Sequence, residues 1–292
     1  MTNIIPTAIL VFSLFISCVT LRGEKKDGED IESRLKNGAR VMWIAAHPDD
    51  ESMAGAILLR SSLYYKNPLY FLVFTHGDGG ECCIKGGCHP DLKTVRGEEM
   101  KKVAKAYNAE LQHEYFYNAP LPMESFPPRH IIAGKWKEQK DPVIVVAEAI
   151  RKFKPDIVIT FDPYRGFTGH PEHQLASRFS AAGIIAAADS SVKIEGTEPF
   201  RVKHLYFGLN KYFVFRLIGG TDPSPVTEEW DMNKECAGGK SCKELLAKYT
   251  RFHKSQENDM NTVRKLLRWI DTMYLSEYDP FKNPLNPYEE AK

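Results

Sequence analysis

The hydrophobic pattern of the chain predicts short buried strands alternating with amphipathic helices. Residues 41–46 are an unbroken apolar run (Val-Met-Trp-Ile-Ala-Ala), as expected of a strand covered on both faces in a parallel sheet. Residues 69–74 and 157–161 repeat the pattern. Between them, apolar residues recur at helical spacing: Met100, Val103, Ala104 and Tyr107 within 94–107, then Val143, Val146, Ala147, Ile150 and Phe153 within 143–153. Leu175, Phe179, Ala182 and Ala186 do the same within 174–189. Further strands are expected at 115–117, 202–209 and 212–218, and residues 236–274 read as largely helical. This alternation predicts an α/β fold with a mostly parallel central sheet, in which ligands bind at the C-terminal edge of the strands.

Two stretches lack periodicity. Residues 119–140 carry Pro120, Pro122, Pro127 and Pro128 and are expected to form a loop acting as a lid on the substrate side. Residues 279–286, with Pro280 and Pro284, read as a tail. No internal repeat is visible, and 292 residues at 43% hydrophobic suit one large core.

The N-terminus differs from the rest. Residues 4–16 are mostly apolar, too short to span a bilayer comfortably but right for the hydrophobic region of an export signal. The run ends at Leu14-Phe15-Ile16-Ser17-Cys18, which is similar to a lipobox with Cys18 as the acylated residue. No Lys or Arg precedes it and Phe15 stands where Leu is usual, so an ordinary secretory signal and an uncleaved anchor are alternatives. The expected organisation is a leader over 1–18, a polar tether over 19–35 and one catalytic domain over 36–292. The protein is expected to be exported, periplasmic or membrane-attached, and to meet the membrane only through that N-terminus.

Charge and cysteine content narrow the picture. Lys+Arg 39 against Asp+Glu 38 leaves a net charge of +1, so there is no basic surplus for nucleic acid. Cys83 and Cys88, and Cys236 and Cys242, each bracket a short Gly-containing loop, and local disulfides suit an oxidising compartment. Cys82 leaves an 82/88 pairing open, and a zinc knuckle using His89 is an alternative that lacks the Cys-x-x-Cys spacing.

The chemistry sits at two strand ends. After the first strand comes His47-Pro48-Asp49-Asp50-Glu51, and Pro48 keeps His47 out of the helical region. Asp49, Asp50 and Glu51 are expected in the first turn of the helix that follows, where the dipole favours negative charge. After the strand at 157–161 comes Asp162, and then Gly169-His170-Pro171-Glu172-His173. A His-x-x-Asp pair and a His-x-x-His pair delivered to one sheet edge are the ingredients of a three-ligand zinc site with an open position.

These two segments resemble those of the PIG-L/LmbE-like family of zinc-dependent N-deacetylases. Val95-Arg96-Gly97-Glu98-Glu99 resembles the family's Arg-x-x-Glu helix, and His253-Lys254-Ser255-Gln256 its His-x-Ser-Gln segment. The resemblance runs over roughly residues 40 to 260 and implies a Rossmann-like three-layer fold, with the active site at the C-terminal strand edge. It implies removal of an N-acetyl group from an N-acetylglucosamine-containing small molecule, glycolipid or glycan. It implies one Zn2+ held by His47, Asp50 and His173, with Asp49 as general base and protonated His170 stabilising the oxyanion. Arg96 and Asp162 would contact substrate hydroxyls or support the ligands. Glu172 departs from the family's usual Asp, and His253 reads as either a core or an active-site histidine. An exported glycan-binding protein that keeps the metal pocket without turnover is the alternative, and a metallopeptidase lacks its His-Glu-x-x-His.

Overall fold

The computed structural model describes residues 30–214 and 220–290. The expected leader, Cys18, most of the tether and most of the expected strand at 212–218 lie outside the described residues. Its described part, 212–214, is not strand.

Five strands form the parallel body of the sheet: β1 (Val41–Ala45), β2 (Leu69–Val73), β3 (Ala109–His113), β4 (Ile157–Phe161) and β5 (His204–Leu209). Their spatial order is β3-β2-β1-β4-β5. Every residue of β1 and β4 is buried, which is why these two central strands read as continuous apolar runs. The order reverses at β1, which pairs with both β2 and β4. That switch point opens a crevice at the carboxyl ends of β1 and β4, the two strands that precede the His motifs.

Helices cover both faces of such a sheet: α1 (Ile31–Lys36), α2 (Gly55–Leu59), α3 (Leu92–Ala106), α4 (Arg129–Gln139), α5 (Pro142–Phe153), the short α6 (Gly166–Gly169), and α7 (Pro171–Ala188). Later come α8 (Cys242–Tyr249) and α9 (Glu257–Leu266). Asp141 caps α5 by accepting from the Val143 N–H, and Pro142 follows at the first helical position. Trp136, Phe74 and Phe179 stack between α4, the sheet edge and α7, at 5.1 and 5.8 Å. None of the described helices is long and apolar enough to cross a membrane.

Several expectations are corrected. Residues 115–117 are irregular, and the strand is β3, whose half-exposed residues reflect its place at the sheet edge. Residues 129–139 form α4 instead of a loop, held by the buried Ile132, Ala133 and Trp136, a stripe too narrow to stand out after four prolines. The C-terminal part is not only helical. β9 (Thr272–Tyr278) pairs antiparallel with β5, and β6 (Glu228–Asp231) pairs antiparallel with β9. Met273 and Leu275 are buried at period two, a signal hidden behind the helical stretch before it. Residues 31–35 of the expected tether belong to α1, where Asp30 caps Ser33 and Ile31 and Leu35 are buried.

The cysteine loops are closed by disulfides Cys82–Cys88 and Cys236–Cys242, with Cys83 free. The second ties the β7–β8 hairpin (Glu235–Ala237 and Lys240–Ser241) to the start of α8.

Candidate metal centre

The turn after β1 is not the simple helical start expected. Asp49 takes a left-handed conformation (φ 92°), and a 3-10 turn (Asp50–Met53) precedes α2. Asp is among the few non-glycine residues that tolerate this region. The reversal turns Asp50 back under the strand end, where its Oδ2 accepts from the N–H groups of Ala46 (3.0 Å) and His47 (2.8 Å). Asp49 is thereby set apart from Asp50. Its N–H donates to Glu51 Oε2 at 3.2 Å, and Glu51 Oε1 meets His253 Nε2 at 2.7 Å.

From the other strand end, His170 caps α7 by accepting the Glu172 N–H at its Nδ1, and His173 follows in the first turn. Gly166, at φ 68°, lies so close to His173 that a Cβ there would come within 2.7 Å of the histidine's own. The Gly166 carbonyl accepts from His173 Nδ1–H at 2.9 Å, so the lone pair of the neutral imidazole is at Nε2.

His47, Asp50 and His173 converge. His47 Nδ1 lies 3.2 Å from His173 Nε2 and 3.6 Å from Asp50 Oδ2, and His173 Nε2 lies 3.1 Å from Asp50 Oδ1. Ligands at zinc's usual bond lengths, arranged tetrahedrally, would be about 3.3 Å apart. The three residues are buried and form a group able to hold a metal ion. Their donor set, two imidazole nitrogens and one carboxylate, is one that suits a divalent metal such as zinc. The electrostatics agree. Burial opposes charge on His47, yet Asp50 and Glu172 raise its pKa to about 10. Burial likewise opposes ionisation of Asp50, but His173 and His47 hold its carboxyl well below the usual range.

Glu172 has a definite place. It is fully buried and takes three hydrogen bonds: from His47 Nε2 at 2.5 Å, the Asn118 amide at 2.6 Å and the Ala119 N–H at 2.7 Å. The first fixes the His47 proton on Nε2 and leaves Nδ1 free as a ligand. His47, His170 and Glu172 form an overlapping acid–histidine group.

Asp49 Oδ2 accepts from Arg96 Nη2 at 2.9 Å. Arg96 also donates to the carbonyls of Gly77, at 2.9 Å, and Pro48. A Cβ on Gly77 would collide with this guanidinium. Burial raises the Asp49 pKa to about 6, with Arg96 opposing and Asp50 adding to the rise. Arg96 is itself buried, so its contacts are with the Asp49 turn. Asp162, also fully buried, accepts from the N–H groups of Tyr164 and Arg165 and shapes the turn after β4.

His170 lies beside the cluster, its ring 4.7 Å from His47 and 4.8 Å from His173. Burial and then the neighbouring histidines lower its pKa, so the resting imidazole is neutral instead of protonated as expected. With Nδ1 accepting from Glu172 N–H, its proton is on Nε2. Phe126, from the proline-rich stretch, packs against His170 at 4.8 Å. His253 is fully buried: burial opposes its charge, but Glu51 raises its pKa. Asn118 and Glu51 are the supporting residues that sequence reasoning passed over. Glu51 shared its run with the two aspartates, and nothing near Asn118 in the chain marks it.

An α/β sheet with a His/His/Asp cluster at its switch point defines the class: a Rossmann-like protein with a cluster able to hold a divalent metal ion at the strand ends. Comparison with known proteins narrows it. The profile of the PIG-L family, described as GlcNAc-PI de-N-acetylase, matches residues 42–184, and the chain belongs to this family. The 1D-myo-inositol 2-acetamido-2-deoxy-alpha-D-glucopyranoside deacetylase of Kineococcus radiotolerans is 26% identical over 190 residues, which cover 59% of this chain and 52% of that protein. The mycothiol S-conjugate amidase of Streptomyces coelicolor is 24% identical over 157 residues, covering 52% and 53%. The chain thus spans about half the length of these two relatives. Among solved structures, the N,N'-diacetylchitobiose deacetylase from Pyrococcus horikoshii superposes with a TM-score of 0.61 at 14% identity, over 89% of this chain and 91% of that one. GalB, the 4-carboxy-2-hydroxymuconate hydratase from Pseudomonas putida KT2440, gives 0.60 at 14% identity, over 82% and 97%. These two structures share the fold, and the fold alone does not choose between a deacetylase and a hydratase.

Proposed function

We propose that the protein is a zinc-dependent N-deacetylase that hydrolyses the acetamido group of an N-acetylglucosamine-containing conjugate. The observation that carries this reading is Asp49, a half-buried carboxylate next to Asp50 in the chain, left out of the metal-type cluster by its left-handed backbone and held by Arg96. A divalent cation held by His47, Asp50 and His173 would supply Lewis-acid polarisation and acidify the attacking water. Asp49 takes the proton from that water as its oxygen bonds to the amide carbon. The proton then passes to the leaving nitrogen as the C–N bond breaks, giving acetate and a free amine. His170 Nε2–H donates to the carbonyl oxygen as negative charge develops there. Arg96 and the Glu51–His253 pair hold Asp49 in position, and Glu172 holds His47.

The sugar is inferred from the family and from the relatives' acetamido-glucopyranoside substrates. The same reading extends to an exported enzyme, supported by the apolar run at 4–16 and by two disulfides. Acetate release from a panel of N-acetylglucosamine conjugates, measured alongside metal content, tests the function. Turnover lost in Asp49→Asn is the expected result. No acetate from any conjugate at full metal occupancy would end the deacetylase reading.

A further inference from the structure

At the C-terminal end of β5, beyond the catalytic crevice, the surface carries large apolar side chains with little covering them. Phe213 is 72% exposed, Val214 40% and Trp269 86%. With Tyr212, Leu266 and Ile270 they line one groove between the chain after β5 and the end of α9. A contiguous exposed aromatic surface calls for an occupant. The residues beside it say which kind. Lys265 and Arg268 precede Trp269 in sequence by four residues and one, and Arg268 shares a neighbouring hollow with Lys248 and Arg251. These four cations are exposed and have no acidic partner among the described residues, whereas Lys243 and Arg264 nearby are paired with Asp271 and Glu257.

We propose that this face docks the protein on bilayers bearing anionic headgroups. Exposed aromatic rings with unpaired Lys and Arg on the adjoining end of α9 and in the next hollow match the composition of interfacial membrane binders, where rings enter the headgroup region and cations meet lipid charge. The face adjoins the catalytic crevice: the Tyr212 ring lies 6.3 Å from Phe167, the residue after Gly166, whose carbonyl holds His173. Docking would bring the metal centre to headgroup height. The surface argument stands without the deacetylase reading, and its test measures no turnover.

The experiment uses the intact chain and the exposure of its tryptophans. Of the four, Trp43, Trp136 and Trp230 are 1%, 0% and 3% exposed, so a change in solvent quenching reports Trp269. Vesicles of equal parts phosphatidylglycerol and phosphatidylcholine should shift the emission to the blue and protect it from acrylamide. Trp269→Phe should abolish that signal. Lys265→Gln and Arg268→Gln should each weaken vesicle affinity about fivefold, on the basis of about 1 kcal/mol per charge near the surface. Raising the salt should weaken it further. Three results would overturn the proposal. Trp269 could stay fully quenchable while the chain sediments with vesicles, which means anchoring by the N-terminal run alone. The shift could be equal on pure phosphatidylcholine. Or it could appear with protein concentration and no lipid, which means a second copy covers the groove.

Discussion

Replacing Glu172 with Gln tests how the metal centre is held. The carboxylate accepts directly from three donors, the His47 ring, the Asn118 amide and the Ala119 N–H. Gln keeps one acceptor oxygen and presents an amide group to the others, so at least one buried donor loses its partner, costing about 1–3 kcal/mol of folding stability. The metal-specific part is separate. Without the carboxylate, His47 Nε2–H loses its strongest acceptor and the Nδ1–H tautomer gains weight, which removes the lone pair facing Asp50 and His173. Loss of such a supporting carboxylate weakens metal binding 10- to 100-fold, about 1.4–2.7 kcal/mol. Glu172→Asp keeps the charge but falls one methylene short of three donors, and should lie between Gln and wild type. The assay is zinc competition against a chromogenic chelator, with urea denaturation of the metal-free protein run beside it. Unchanged zinc affinity in Glu172→Gln, at whatever folding cost, would refute the role given to Glu172.

Further outcomes follow from the same geometry. Asp49→Asn should keep its metal and its fold, since Asn tolerates the left-handed backbone, and lose activity by about 10²–10⁴-fold, or about 3–5 kcal/mol. Elemental analysis and rates on any conjugate that turns over check this, and in the wild type the acidic limb of kcat/KM should lie at or below about pH 6, where Asp49 protonates. His173→Ala should lose the metal by elemental analysis. Asp222 is buried, with Asp162 near it, and its pKa is raised from 3.8 to about 7. Between those values the folded state keeps a proton that the unfolded state has lost. Stability should therefore fall as pH rises from about 4 to 7, by up to about 4 kcal/mol, and urea melts of Asp222→Asn should show a flatter profile. Peptide mapping of unreduced protein should find Cys82–Cys88 and Cys236–Cys242 with Cys83 alkylatable, and reducing either short loop should cost about 2 kcal/mol.

Local rules were enough to read the central strands and the two chemical segments. Residues 41–46 and 157–161 announce strands buried on both faces because a parallel sheet covered by helices demands apolar side chains at every position. His47, Asp50 and His173 were legible as candidate ligands because metal ligation needs particular residue types, and each group lies within a few residues of a strand end. Their convergence was not legible: 126 residues separate His47 from His173, and only the pairing of β1 with β4 at the switch point brings the two turns together. Edge strands escaped for the opposite reason. β3 and β9 bury only part of their residues, so alternation is weak and neighbouring helical pattern masks it. The separation of Asp49 from Asp50 rests on one left-handed residue and on Arg96, 47 positions away. Glu172 is the clearest case. As a sequence it was a departure of one methylene from the family's pattern. Its function depends on Asn118 and Ala119, more than 50 residues earlier, whose N–H groups reach it only after the chain has folded around the sheet edge. Residue type marks what chemistry is possible near a strand end, and the topology of the sheet decides which of those groups meet.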